Sequence, residues 1–436
     1  MISESILPAF QRFVFVLVCL LSLSAGSARV HGGPAVTDYD SIQAALDANP
    51  GQQVFVPSGD YTITEKLVVR GVGSGLHGSG RIVQQNSNQP LIVVENATDV
   101  VLRGLTLVRP VEHAETDREA ILAIRCDNLV IDDVRVIDNR TRAGVISIRD
   151  CSGASISRCL IRNYMRVTVD DRTESADWGY AFNCTDGTGI SVVRCVGTLI
   201  EGNRIVENNL VPTPEIKARY RLGDFIRKNK QKGAIIGKAM WDANYTDNWQ
   251  QGSAIIVTAP EVSDLTRIFG NHIENAAQGI DLHCDHVTVA NNIVTNSFVG
   301  MKAMHGSRNV LIQGNQFVRN SLWAIGLMPG AAAHPANVDG GSIIANNVIS
   351  DFGHGDASWI WGDDRSPIRF DNGQQPDDPP LSDVIIQGNV VYRQGKPRYR
   401  YAVIISGGEG APRGLRFFNN LFHAGTEGVS NQQLSR

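Results

Sequence analysis

Short apolar runs of period two recur along the chain. They are Val101-Leu102, Val130-Ile131, Ser155-Ile156, Leu199-Ile200, Thr266-Arg267-Ile268, Val287-Thr288-Val289, Leu311-Ile312, Ile343-Ile344, Val384-Ile385-Ile386 and Leu415-Arg416-Phe417. Just after them stands a column of asparagines: Asn203, Asn271, Asn292, Asn315, Asn347, Asn389 and Asn420. In the three earliest runs Leu105, Val134 and Cys159 hold that place. Successive column members lie 21 to 29 residues apart in the tightest cases. That interval suits one coil of three short strands. Asparagine tolerates a left-handed corner and bonds its own backbone. Stacked amides also bond one another from coil to coil. The asparagines are therefore read as structural. A period of two without long amphipathic helices excludes all-helical and α/β architectures. Stacked coils bury the inward Val, Ile and Leu in one continuous core.

Ahead of the repeat, Asp40 to Ala48 predicts a short amphipathic helix with Ile42, Ala45 and Leu46 on one face. Asp40 or Ser41 can cap it, and Asn49-Pro50-Gly51 ends it. Val54-Phe55-Val56 and Leu67-Val68-Val69 read as strands. The stretch SIQAALDANPGQQVFVPSGDYTI resembles the opening of the pectate-lyase-like superfamily of right-handed parallel β-helices. The resemblance continues through the repeats to about residue 423. It implies an all-β fold: a single-stranded right-handed parallel β-helix, a solenoid of about ten or more coils, with the short helix capping its N-terminal end. It implies no single reaction, because lyases, hydrolases, epimerases and phage tailspikes share the scaffold.

Four intervals exceed one coil. Between Cys159 and Asn203 an extra coil through Gly189-Ile190-Ser191-Val192-Val193 is expected, with a loop near 165–180. Further insertions fall near 209–252, 328–341 and 352–380. Long loops on a rigid scaffold are where binding sites are usually built. The 209–252 insertion carries Lys217, Arg219, Arg221, Arg227, Lys228, Lys230, Lys232 and Lys238 against Glu215 and Asp224, followed by Trp241, Tyr245 and Trp249. Cations and rings together suit an anionic polysaccharide; a solvated helix on the side of the stack is the alternative. The 352–380 insertion brings Trp359 and Trp361 with His354, Asp356, Asp363, Asp364 and Arg365, either as a second cleft wall or as packing. The candidate substrate contacts are thus Lys228, Lys230, Lys232, Lys238, Trp241, Tyr245, Trp249, Trp323, Trp359 and Trp361.

The chain has 436 residues and a formal charge of −4, which argues against a nucleic-acid partner. One solenoid domain over 29–436, acting as a monomer, accounts for the length. Arg12, the apolar run Phe13 to Leu23 and the small residues Ser24-Ala25-Gly26-Ser27-Ala28 predict a signal peptide over 1–28, cut after Ala28. An uncleaved anchor is the alternative, although a spanning helix needs about 20 residues. A secreted or periplasmic protein with no membrane span after signal removal is expected. Of seven cysteines, Cys19 leaves with the signal. Cys126, Cys151, Cys195 and Cys284 each stand shortly before an apolar run, which predicts a column of buried free thiols rather than bridges.

The chemistry is sought around Gly279 to Asn320. Residues two apart in a strand share a face. With Ile280, Leu282 and Cys284 inward, Asp281, His283 and Asp285 face outward; in the next coil Met301 and Ala303 point in and Lys302 out. Matching Gly279-Ile280 to Gly300-Met301 sets Asp281 beside Lys302, about 4.8 Å away. His283 shares the face, and His305 and Arg308 enter the adjoining turn. Trp323 and Gly326 follow, the glycine leaving room for a ligand. This set suits proton abstraction α to a carboxylate, the first step of β-elimination from a uronic acid sugar. Lys302 or His283 would be the base, and His305 or Arg308 would neutralise the carboxylate. Asp281 and Asp285 could instead hold Ca²⁺. The plainest alternative is an exposed salt-bridge stripe worth about 0–1 kcal/mol per pair.

Cys184-Thr185-Asp186-Gly187, Gly353-His354-Gly355 and Asp363-Asp364 echo polygalacturonase-like hydrolases, but order and spacing differ and Arg-Ile-Lys is missing. The expectation is a secreted carbohydrate-active protein acting on an acidic polysaccharide, most plainly a polysaccharide lyase. A glycoside hydrolase or uronate epimerase is the second reading. A non-catalytic glycan-binding or surface structural β-helix is the third.

Overall fold

The computed structural model describes residues 33–175, 179–208, 252–329, 338–355, 365–373 and 378–435, with backbone alone over 167–175 and 179–185. The expected signal peptide, 1–28, lies outside the described residues. Among the described residues no helix is long and apolar enough to cross a membrane.

The repeat winds into coils, each giving one strand to each of three parallel sheets of twelve strands. A representative coil runs Thr288–Ala290 in the first sheet, Ile293–Thr295 in the second and Val299–Met304 in the third. Two coils precede the ten expected from the asparagine column; they begin at Gln53–Val56 and Gly75–Gly78. The helix Ile42–Ala48 packs Ile42, Ala45 and Leu46 into the N-terminal end of the core. Ser41 caps it, accepting a hydrogen bond from the Ala44 N–H at 3.0 Å.

The expected extra coil is not there. Thr188–Val193 is the third-sheet strand of the coil that opens with Ser155–Ser157. The surplus length before it is an antiparallel hairpin, Arg166–Ser175 with Gly179–Asp186. An apolar run of period two cannot by itself say which of the three sheets it joins.

The corner between the first and second sheets explains the asparagines. From the strand Val101–Arg103 onward, every coil makes this turn in two residues. The first of the two is left-handed, as at Gly270 (φ 60°), Asn291 (φ 57°) and Gly314 (φ 63°). The column asparagine is the second, so it does not carry the left-handed backbone expected of it. Its side chain turns inward and builds the ladder. Asn292 Nδ2 donates to the Ile268 carbonyl at 3.0 Å and to Asn315 Oδ1 at 2.9 Å, and the Asn292 backbone N–H shares that oxygen. The ladder continues from Asn203 to Asn420.

The corner between the third and first sheets holds the thiols. Cys126, Cys151, Cys195 and Cys284 are free and buried there, as is Cys159 elsewhere. The Cys126 N–H donates to Cys151 Sγ, and the Cys151 N–H to Cys195 Sγ, each at 3.4 Å. The side chain of Cys184 lies outside the described residues.

Candidate functional site

Five neighbouring strands of the third sheet form the ground of the site: Ser253–Thr258, Gln278–Leu282, Val299–Met304, Trp323–Met328 and Ser366–Phe370. Their alternation sends Ile280, Leu282, Met301 and Ala303 into the core. The intervening residues form an outward row. In it Asp281 pairs in register with Lys302, Lys302 with Gly326, and Gly326 with Arg369.

Asp281 is the centre of the cluster, and only 3% exposed. Lys302 Nζ lies 3.3 Å from its Oδ2, and His283 Nε2 lies 2.9 Å from its Oδ1. Ser253 Oγ adds a hydrogen bond to Oδ2 at 3.3 Å. His283 stacks on His305 with ring centroids 5.0 Å apart and planes 27° apart. Burial alone would push the Asp281 carboxyl up, yet the charge of Lys302, then that of His283, with hydrogen bonds from both, outweighs it. The group is held well below the usual carboxylate range. The cluster is largely desolvated, unlike the exposed salt-bridge stripe that stood as the alternative.

Other expected contributors sit elsewhere. Arg308 Nη2 is 2.7 Å from Asp285 Oδ2, at the turn leading into the first sheet. His286 and Asn309 join Asp285 there. Asp285 lies past the end of the strand Gln278–Leu282, and the turn at His305 (φ 54°) and Gly306 (φ 96°) redirects the chain ahead of Arg308, so parity no longer carries either residue onto the Asp281 face. Asp281 and Asp285 thus belong to two separate ion-pair networks. Among the described residues no group of three His, Cys, Asp or Glu side chains is arranged to hold a metal ion. Trp323 is in the site, but the space expected over Gly326 is filled: a Cβ there would lie 2.9 Å from Trp323 Cε3. Lys228, Lys230, Lys232, Lys238, Trp241, Tyr245, Trp249, Trp359 and Trp361 lie outside the described residues.

The structure adds three residues. Ser253 contacts Asp281 as above. Arg369 lies two coils beyond Lys302, with its guanidinium carbon 5.9 Å from the Trp323 ring centroid. Its Nε is 2.8 Å from Asp371 Oδ2. The alternation Ile368-Arg369-Phe370 was a signal for this strand, masked in the sequence by the long interval around it.

The borders of the third sheet are where the chain departs from the coils. It leaves after Asn208 and is again described from Gly252, just before Ser253–Thr258, which pairs directly with Gln278–Leu282. It leaves again after Gly355 and returns at Arg365, just before the strand of Arg369. A third departure, after Pro329, lies at the other border.

A comparison with curated proteins finds no match. Among solved structures, a PL6 alginate lyase in complex with a trisaccharide is similar, with 11% identity, a TM-score of 0.54, and 92% of this chain and 87% of that one covered. PfbA, a surface adhesin of Streptococcus pneumoniae, gives 12% and 0.55, covering 91% and 93%. A hyperthermoactive exopolygalacturonase from Thermotoga maritima gives 11% and 0.55, covering 89% and 91%. At such identities the likeness is one of fold. The family model described as right handed beta helix region matches residues 85–317, more than half of the chain. The chain therefore belongs to the right-handed β-helix family.

Proposed function

We propose that this protein is a polysaccharide lyase that cleaves a uronic-acid polymer by β-elimination, with His283 as the base and Lys302 as the cation that receives the substrate carboxylate. The observation that carries this reading is the buried Asp281 holding both groups on the outward face of the third sheet. Its carboxylate accepts the His283 Nε2 proton, which leaves Nδ1 as the basic nitrogen. Lys302, paired with a carboxylate, supplies a fixed positive charge where the enolate-like intermediate would form. His283 takes the proton α to the carboxylate. The electron pair forms the new carbon–carbon double bond, the bond to the leaving sugar oxygen breaks, that oxygen takes up a proton from water, and His283 returns its own proton to the solvent.

Hydrolysis is less well supported. It needs two carboxyl groups about 5–5.5 Å or 6.5–9.5 Å apart. Asp281 is the one carboxylate in contact with Lys302 and His283 among the described residues, and its oxygens are occupied by Lys302, His283 and Ser253. The cations and rings of 209–252, with Trp359 and Trp361, enter the proposal as polymer contacts on the strength of the sequence. Secretion to an extracytoplasmic polymer belongs to the same reading.

The test is a panel of pectate, alginate and glycosaminoglycan polymers, with and without a calcium chelator. Lyase products absorb in the ultraviolet. The wild type should generate that absorbance on one polymer, and His283→Ala and Lys302→Ala should each lose roughly 10²–10⁴-fold in rate. New reducing ends without absorbance would indicate hydrolysis, altered uronate stereochemistry an epimerase, and binding without cleavage a non-catalytic role. Loss of activity only with chelator would bring Ca²⁺ into the reaction.

A further inference from the structure

Asp339 stands at the corner between the third and first sheets, one coil beyond His305, and is 1% exposed. Its Oδ2 accepts the Gly306 N–H at 3.0 Å and its Oδ1 the Ser307 N–H at 2.9 Å. These are the two residues that directly follow His305. His305 holds a left-handed backbone at φ 54°, an uncommon conformation for a non-glycine residue that must be held by its surroundings.

The column in which Asp339 stands is built otherwise in the coils further back. Backbone hydrogen bonds run through it from Cys126 by way of Cys151, Cys195 and Ser263, and the Ser307 carbonyl accepts the Gly340 N–H next to Asp339. At Cys126 and Cys151 one backbone N–H meets one sulfur of the next coil. Beside His305 the sulfur is replaced by a carboxylate that accepts two. A buried carboxylate costs far more desolvation than a thiol. Its bonds to backbone N–H groups are also about twice as strong as neutral ones.

We propose that Asp339 is a positioning residue: by gripping the Gly306–Ser307 turn it fixes the His305 imidazole against His283. Its effect on rate rests on the lyase reading above; its effect on the geometry does not.

The experiment compares Asp339→Asn with Cys151→Ala, a change in the same column away from the site. Two-dimensional NMR follows the amides of Gly306 and Ser307 and the ring signals of His283, which feel the stacked His305. In Asp339→Asn the two amides should exchange at least tenfold faster and the His283 ring signals should move. In Cys151→Ala neither should change. On the cleaved polymer, kcat of Asp339→Asn should fall about tenfold or more with KM within twofold, the range typical for removing a supporting partner. Should the asparagine variant fail to fold, Asp339→Ser keeps an acceptor and carries the same measurement. Unmoved Gly306, Ser307 and His283 signals would overturn the grip, as would an equal displacement in Cys151→Ala. If the signals move while kcat holds, the positioning role falls and the lyase reading stands. If the wild type cleaves nothing, the lyase reading falls and the NMR comparison still decides the grip.

Discussion

Lys302 Nζ sits 3.3 Å from Asp281 Oδ2, and the two residues are register partners on adjacent coils. The carboxyl they share is depressed below its ordinary value of 3.8, because the pull of Lys302 and His283 exceeds the opposing effect of burial. A depressed carboxyl stabilises the fold at pH above its unfolded value, and that stability is lost as pH falls through the folded value. Asp281→Asn should therefore cost about 3 kcal/mol at neutral pH, the scale for breaking a buried pair. The gap to wild type should narrow below about pH 4. Denaturation midpoints from acid to neutral pH check this; a constant gap would contradict it.

The Asn315 side chain makes four ladder contacts. Its Nδ2 donates to the Val289 carbonyl and to Asn347 Oδ1, and its Oδ1 accepts the backbone and side-chain N–H of Asn292. Asn315→Ala leaves several of these groups buried without partners. At about 1–3 kcal/mol per unsatisfied group, a loss of about 3 kcal/mol is expected. Asn420, at the partly exposed end of the ladder, should lose less when changed in the same way. Urea titration of the two variants decides the order.

Glu207 is fully buried and ties two departures of the chain together. Its Oε2 accepts the Met165 N–H at 2.9 Å, and its Oε1 accepts the Asn208 N–H at 3.1 Å and faces Arg140 Nη2 at 3.1 Å. Glu207→Ala should cost about 3–5 kcal/mol, since Arg140 would then be an uncompensated charge. The double variant with Arg140→Ala should recover part of that loss. Strict additivity in the double-mutant cycle would deny the coupling.

The thiols give a chemical test of the same packing. Burial pushes the Cys159 thiol up to about 12 and raises Cys284 as well. A protonated, enclosed thiol reacts slowly. Hydrogen bonds with Cys126 and Cys195 pull the Cys151 thiol down instead, so enclosure rather than protonation protects it. Cys126, Cys151, Cys159, Cys195 and Cys284 should stay unlabelled by a maleimide in the folded protein and label fully in denaturant. Peptide mapping reads each one, and a native bridge between any two would contradict the column.

Parity made much of this architecture legible. The inward run Ile280, Leu282, Cys284 and the two glycines Gly279 and Gly300 set the register that joins Asp281 to Lys302. Parity stopped working where the chain leaves a strand. At His305 and Gly306 the backbone turns left-handed, and Arg308 goes to Asp285 rather than to Asp281. Arg369 went unnoticed because its strand lies between two irregular intervals, with no asparagine of the ladder directly beside it. The room expected over Gly326 belongs to Trp323, a three-dimensional fact about where an indole lies.

The two-residue corner between the first and second sheets repeats without a single insertion from Val101–Arg103 onward. Extra chain there would pull the ladder amides out of stacking reach in every neighbouring coil. Extra chain beside the third sheet is absorbed locally, as the hairpin at Arg166–Ser175 already demonstrates. The molecule thus has a spine that resists editing and a flank that accepts it. New specificity can be grafted along that flank, one coil at a time, while the rest of the solenoid keeps its pitch.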